Sequence, residues 1–205
     1  TNFTSSLLVG HATTGTLSSA DQNTGVGIIS LDALTSGDEN TAVGYNAGSA
    51  ITTSKKNTAV GSSALAVQTT GDSTNGYNTA FGRSALQLTT GQYNTGLGGG
   101  AGENITSADG CVIIGKVTAD SATGDRQLKI AGNDGSTTTT WISGDSSGNV
   151  TVAGTLTSDT GLVKTVGKES IWIPSNSMTP STTNGAERAS VETTATRPDM
   201  QVLDF

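Results

Sequence analysis

Asn40-Thr41-Ala42-Val43-Gly44 and Asn57-Thr58-Ala59-Val60-Gly61 are one five-residue phrase written twice, 17 residues apart. It recurs as Asn23-Thr24-Gly25-Val26-Gly27, Asn78-Thr79-Ala80-Phe81-Gly82 and Asn94-Thr95-Gly96-Leu97-Gly98, so successive Asn positions are 17, 17, 21 and 16 residues apart. Seventeen residues before Asn23 stands Ser6-Leu7-Leu8-Val9-Gly10, and 17 after Asn94 stands Cys111-Val112-Ile113-Ile114-Gly115. Both keep the apolar fourth residue and the closing Gly, as terminal units of a stack do. The period predicts an all-β chain whose first part is a parallel β-roll, or β-solenoid, of about seven turns of ~17 residues.

Strand alternation puts phrase positions two and four on one face and one, three and five on the other. Position four is always bulky and apolar: Val9, Val26, Val43, Val60, Phe81, Leu97 and Ile114. Position three is small in the central copies, and no copy carries a charge on either face. Such a strand is expected to be covered on both sides. One roll has no second layer for its outer face, whereas three rolls about a common axis supply one. The phrase therefore predicts an obligate homotrimer, with the position-four residues as trimer or solenoid core. For Asn23, Asn40, Asn57, Asn78 and Asn94 two roles stay open. They form a ladder of stacked amides, or they tolerate a tight corner. Cys111 falls in the same column and reads as a packed, inert thiol.

The remainder of each turn reads as a half-solvated strand, Leu65 sharing a face with Val67 and Leu86 with Leu88, opposite Arg83 and Gln87. Thr69-Thr70-Gly71 and Thr89-Thr90-Gly91 are expected turns with Gly at positive φ. The extra residues around Asp72 to Gly76 should bulge outward at a corner.

Composition agrees with a stack that shares a thin core. The 205 residues include 28 Gly and 3 Pro, 33% are hydrophobic and 13% charged, and the net charge is −7. The acidic balance argues against nucleic acid or an anionic membrane as partner, and no stretch approaches the ~20 apolar residues of a membrane span. No secretory leader is visible. A single Cys excludes an intrachain disulfide. The start at Thr1 and the strand-like close Val202-Leu203-Asp204-Phe205 lead us to expect a piece of a longer protein.

Three regions are expected: a roll over 1–115, a β-rich neck over 116–160, and the start of a C-terminal β-sandwich-like domain over 161–205. In the neck, Leu128-Lys129-Ile130 reads as a short strand, and Trp141-Ile142 and Val150-Thr151-Val152 flank a hairpin turn. Asp134, Asp145 and Asn149 invite a Ca²⁺ site but lack its dense carboxylate spacing, so ordinary turns are the expectation. Ile171-Trp172-Ile173-Pro174 reads as a strand stopped by Pro.

No catalytic, cofactor or metal residues are assigned. Gly96-Leu97-Gly98-Gly99-Gly100-Ala101 matches a nucleotide-binding fingerprint by letter, yet no helical period follows to hold a pyrophosphate. His11 is the sole histidine, so no His/Cys metal cluster can be built. The Asp and Glu residues sit on corners, not as a facing pair across a sugar. The chain is therefore expected not to be an enzyme.

Asn-Thr-Ala-Val-Gly resembles the Asn-Ser-Val-Ala-Ile-Gly repeat in the heads of trimeric autotransporter adhesins, and similar repeats occur in bacteriophage tail and capsid fibres. The resemblance covers roughly residues 6–115, with a phrase one residue shorter and a longer turn. It implies a left-handed parallel β-roll in a trimer. Trp141 to Asp159 is similar to segments of phage tail-fibre shafts, and the residues after Lys168 resemble the opening of a jelly-roll-like domain of phage structural proteins. The implied role is a structural virion fibre, tail or head, on the particle surface. Its partners would be itself, other virion proteins and a host cell-surface receptor, a glycan among the candidates, with neither nucleic acid nor membrane insertion. The alternative is the head of a bacterial trimeric surface adhesin. A glycan-cleaving tailspike is a third class.

Overall fold

The computed structural model describes residues 6–10, 19–68 and 76–154. His11, most of the insert before Gly76, and the whole chain from residue 155, with the expected C-terminal domain, lie outside the described residues.

The described chain is all β, without a helix, and its ten strands form one sheet in chain order. Seven are three-residue strands drawn from the phrase: β1 (Leu7–Val9), β2 (Thr24–Val26), β3 (Thr41–Val43), β4 (Thr58–Val60), β5 (Thr79–Phe81), β6 (Thr95–Leu97) and β7 (Val112–Ile114). They stack in parallel and in register, Thr on Thr and Val26 on Val43 on Val60 on Phe81 on Leu97, as a β-solenoid of about six turns. The parallel pairing carries on past Gly115 to β8 (Leu128–Asn133), with Val112 opposite Leu128. The step from Cys111 is 16 residues, within the range of the repeat, but Gln127 stands where the central copies have Asn and Lys129 where they have a small third residue. That lysine is largely covered, and its charge is matched by the exposed Asp120, whose Oδ1 lies 2.6 Å from Nζ.

The Gly that ends each phrase turns the chain through a backbone region closed to L side chains. At Gly61 φ is +128°, and a Cβ there would stand 2.5 Å from the carbonyl carbon of Gly82 in the next turn. Both facts demand glycine, one for the dihedral and one for the close stacking of backbone on backbone.

The second half of the turn is not a strand. Positive φ recurs at every second residue, as at Gly44, Asn46 and Gly48 or at Gly61, Ser63 and Leu65. The N–H groups alternate in direction: Asn46 donates back to Ile28 O at 3.1 Å and Gly48 forward to Ala64 O at 2.9 Å. Turn-to-turn pairing is kept, but the period-two facing of a strand is lost. Leu65 and Leu86 are wholly buried while Val67 and Leu88 are exposed, so those pairs do not share a face. Leu65 instead pairs inward with Gln68, and Leu86 with Thr89, each across an i to i+3 hydrogen bond. At the following corner Gly91 is not at positive φ; it is needed because a Cβ would lie 2.8 Å from the Ala108 carbonyl carbon.

The interior is thin and made of small residues matched to larger ones. Ala42, Ala59 and Ala80 at position three face Leu and Ala residues from the opposite side of the coil. Gly96 has no room for a Cβ because Leu86 Cγ would be 2.7 Å away. Ile113 fits in that column because Gly102 lies near it, where a Cβ would be 3.2 Å from Ile113 Cγ1. Volume is thus conserved rung by rung, as dense packing requires.

After β8 the sheet turns antiparallel through β9 (Thr138–Gly144) and β10 (Val150–Val152). The register shifts between Ile130 and Ala131, which leaves Trp141 as the extra residue of a bulge. Its ring lies over Gly132, where a Cβ would stand 2.7 Å from Trp141 Cη2. Gly132→Val is expected to push the ring into water and to weaken the hairpin by about 1 kcal/mol, the scale of one aromatic contact. A red shift of Trp141 emission, read in a Trp172→Phe background, checks this.

Candidate functional site

The fourth-position residues do not enter the solenoid interior of the single chain; position three does. Val9, Val26, Val43, Phe81 and Leu97 stand exposed on the outer strand face, and Val60 and Ile114 are half-buried there. Phe81 is 54% and Leu97 46% exposed. The neighbouring position-two column is Leu7, five threonines and Val112, so the face carries no charge over seven rungs. Isolated apolar residues on a surface are ordinary, whereas here they form a continuous column along the stacked strands.

The five asparagines lie directly behind this face, all buried. Each side-chain oxygen accepts the backbone N–H of the next rung: Asn40 from Asn57 at 3.0 Å, Asn57 from Asn78 at 3.1 Å, and Asn78 from Asn94 at 2.9 Å. Asn23 accepts in the same way from Asn40 at 2.9 Å, and Asn94 from Cys111 at 2.9 Å. The amide Nδ2 groups donate to corner carbonyls, from Asn40 to Ser54 O and from Asn94 to Ala108 O, or along the column, from Asn57 to Asn40 Oδ1 at 3.0 Å. Ser6 caps the first rung, its Oγ accepting from Asn23 N at 2.8 Å. None of the five asparagines has positive φ; the residue before each one does. The column thus aligns the strands that carry the apolar face. Cys111 is fully buried in it, and burial pushes its thiol pKa up, away from the reactive thiolate.

The residues preceding the asparagines form a third column, at the corner: Gln22, Glu39, Lys56, Tyr77, Tyr93, then Gly110 and Arg126 in the degenerate copies. Every one has positive φ. From Glu39 onward their N–H groups donate to the corner of the preceding turn, as Tyr93 does to Gly76 O at 2.9 Å and Gly110 to Gln92 O at 2.9 Å, whereas Gln22 N–H donates to Asp21 Oδ1. Lys56 Nζ lies 3.9 Å from Glu39, 3.0 Å from the Tyr77 hydroxyl and 5.1 Å from the Tyr77 ring centre. The hydroxyl contact and Glu39 raise the Lys56 pKa. Tyr77 and Tyr93 stack with centroids 5.2 Å apart and planes 11° from parallel. Comparing the residue before each Asn across the repeats would have shown this column, which the phrase itself conceals.

The neck acids serve their own turns. Asp134 Oδ1 accepts from Ser136 and Thr137 N–H at 2.9 and 2.7 Å, and Asp145 Oδ1 from Ser147 and Asn149 N–H at 2.9 and 3.0 Å. For Asp145 the Asn149 side chain contributes most, its Nδ2 donating to Oδ2 at 2.8 Å, and for Asp134 the Thr137 N–H does; with the other bonds they hold both carboxyl pKa values below the ordinary 3.8. A groove of about 370 Å³ runs beside Glu103, Lys116, Thr118, Thr138 and Thr140 and contains a single acid. Among the described residues no group of three His, Cys, Asp or Glu could hold a metal ion, and no helix is long and apolar enough to cross a membrane. Gly96 to Ala101 span β6 and the turn after it, so the glycine fingerprint precedes no helix. Set against protein-family models, curated proteins and solved structures, the chain matches none of them.

Proposed function

We propose that the chain is a structural segment of a phage virion fibre, in which three copies meet by their phrase strands and carry an attachment region away from the particle. The observation behind this is the outer strand face. An in-register apolar column backed by a rigid amide ladder is a surface ready for copies of itself, since each rung offers the same side chain at the same height. The paired backbone and the charge-poor, small-residue turns suit a spacer rather than a catalyst. The resemblance of the phrase to phage-fibre repeats supplies the setting.

Val43→Asp combined with Leu97→Asp is expected to leave a single subunit, because each substitution would bury like charges from three copies at one axis, at several kcal/mol each. Sedimentation of wild type and variant reads this directly, and a monomeric wild type sinks the trimer. The biological half is tested by mass spectrometry of density-purified phage particles, in which the chain should be present in a multiple of three. Its detection on a bacterial envelope instead would favour the adhesin-head alternative, which the same strand face would serve.

A further inference from the structure

We propose that the open face of Tyr93 is a stacking subsite for one pyranose ring of a neutral glycan. This deepens the fibre reading and rests on it for its setting, since a fibre that meets a host surface meets sugars. The physical case lies in the corner column. Tyr77 covers one face of Tyr93 at 5.2 Å between centroids, which fixes the ring and leaves its other face pointing along the column. The next rung is Gly110, whose missing side chain leaves a gap. A Cβ there would touch only Arg126 Cγ, at 3.5 Å.

From the Tyr93 rung to the Arg126 rung is two strand spacings, about 9.6 Å. The Arg126 stem leans into that space, and once this exposed side chain swings aside the space accepts one slab a rung thick, with an aromatic floor and a flexible cation as roof. Tyr93 is 52% exposed, so the slot opens to solvent. Hydrogen-bonding groups line the neighbouring corner column. Asp109 Oδ1 accepts from Gln92 N–H at 2.7 Å, and Asp125 Oδ1 accepts from Asp109 N–H at 2.9 Å. Both acids are exposed and each has a second carboxylate oxygen to offer a hydroxyl. An apolar ring face beside fixed acceptors matches a sugar, which presents C–H groups on its face and O–H groups on its rim. The two carboxylates and the net charge of −7 disfavour phosphate, sulfate and uronate ligands.

The test uses the full chain and a set of neutral hexasaccharides (cellohexaose, maltohexaose and laminarihexaose), with an alginate hexamer as the anionic control, followed by saturation-transfer NMR and titration. At least one neutral hexasaccharide is expected to bind the wild type. Tyr93→Ala should weaken that binding about tenfold or more. Gly110→Tyr should do the same by filling the slot, since Tyr77 and Tyr93 already occupy that backbone conformation at φ 47° and 59°. Tyr45→Ala, at an exposed tyrosine outside the corner column, should leave it unchanged. The proposal is overturned if no neutral hexasaccharide binds the wild type, if binding is indifferent to both slot substitutions, or if Gly110→Tyr binds more tightly. A non-binding chain that is nonetheless found in particles removes the slot and leaves the fibre. Slot-dependent binding by a chain absent from particles does the reverse.

Discussion

Gly61→Ala is expected to destabilise the solenoid by more than about 3 kcal/mol, at the upper end of what a forbidden backbone conformation costs. The reason is double. Alanine at φ +128° is strained by itself, and its methyl would stand 2.5 Å from the Gly82 carbonyl carbon and 2.6 Å from its oxygen. The neighbouring rung cannot retreat, because Gly82 donates its own N–H to Val60 O at 2.7 Å and is stacked in turn on Gly98. Gly99→Ala is the internal control. Gly99 is not at positive φ, and the nearest atom to its added Cβ is Arg83 O at 3.9 Å. Its replacement should be neutral, or stabilising by about 0.5 kcal/mol through the unfolded chain. Urea denaturation of both variants at one fixed protein concentration decides the matter, because assembly makes the midpoint concentration-dependent. Equal midpoints would show that the phrase glycines are not stacked as described.

The contrast between these two glycines, and between the two halves of a turn, shows what the sequence could and could not convey. The phrase strands were legible because the 17-residue step and the identical letters Thr41, Thr58 and Thr79 fix both the parallel pairing and its register. Charge avoidance on both faces was equally legible, since Val43 and Ala42 each lack a polar alternative in the neighbouring copies. Which face turns inward was not. Alternation is symmetric, and only the match of Ala59 and Ala80 to the inward Leu65 and Leu86 selects the small column for the interior. The second half of the turn misled for a physical reason. Alternating φ signs follow neither the strand period nor the helical one, so Leu65 and Val67 look like face partners yet lie on opposite sides. A signal was present in Asn46, Ser63 and Gly100 at the second residue of that segment, types that accept positive φ readily or form local turns. The Tyr77 and Tyr93 stack lies across the 16-residue step from Asn78 to Asn94, but at the residue just before the phrase, so reading the phrase alone passes over it.

Asn57→Ala is expected to cost about 3 kcal/mol, because it leaves one buried N–H without its acceptor and takes a donor from two buried oxygens. Asn78 loses the acceptor of its backbone N–H, at 3.1 Å, and Asn40 Oδ1 loses a donor at 3.0 Å. Ser54 Oγ loses a third bond, also at 3.0 Å. A residue needed only for its corner would cost far less on truncation, so thermal unfolding separates the two roles. Asn57→Asp separates them further. Its shape and its acceptor for Asn78 are kept, but an ionised carboxylate would face Asn40 Oδ1 in a buried site where that oxygen already accepts. The proton is then held more tightly in the folded chain than in the unfolded one. With the folded pKa raised, the stability contributed by the protonated side chain is fully present below the unfolded carboxylate pKa and is lost as pH rises through the folded value. Asn57→Asp should therefore approach wild-type stability in acid and fall toward Asn57→Ala at neutral pH, while Asn57→Ala keeps the same deficit throughout. Unfolding midpoints taken for the three proteins across that pH range test the ladder as a line of obligatory donors and acceptors, and parallel curves for the two variants would show that the amide nitrogen at residue 57 contributes nothing.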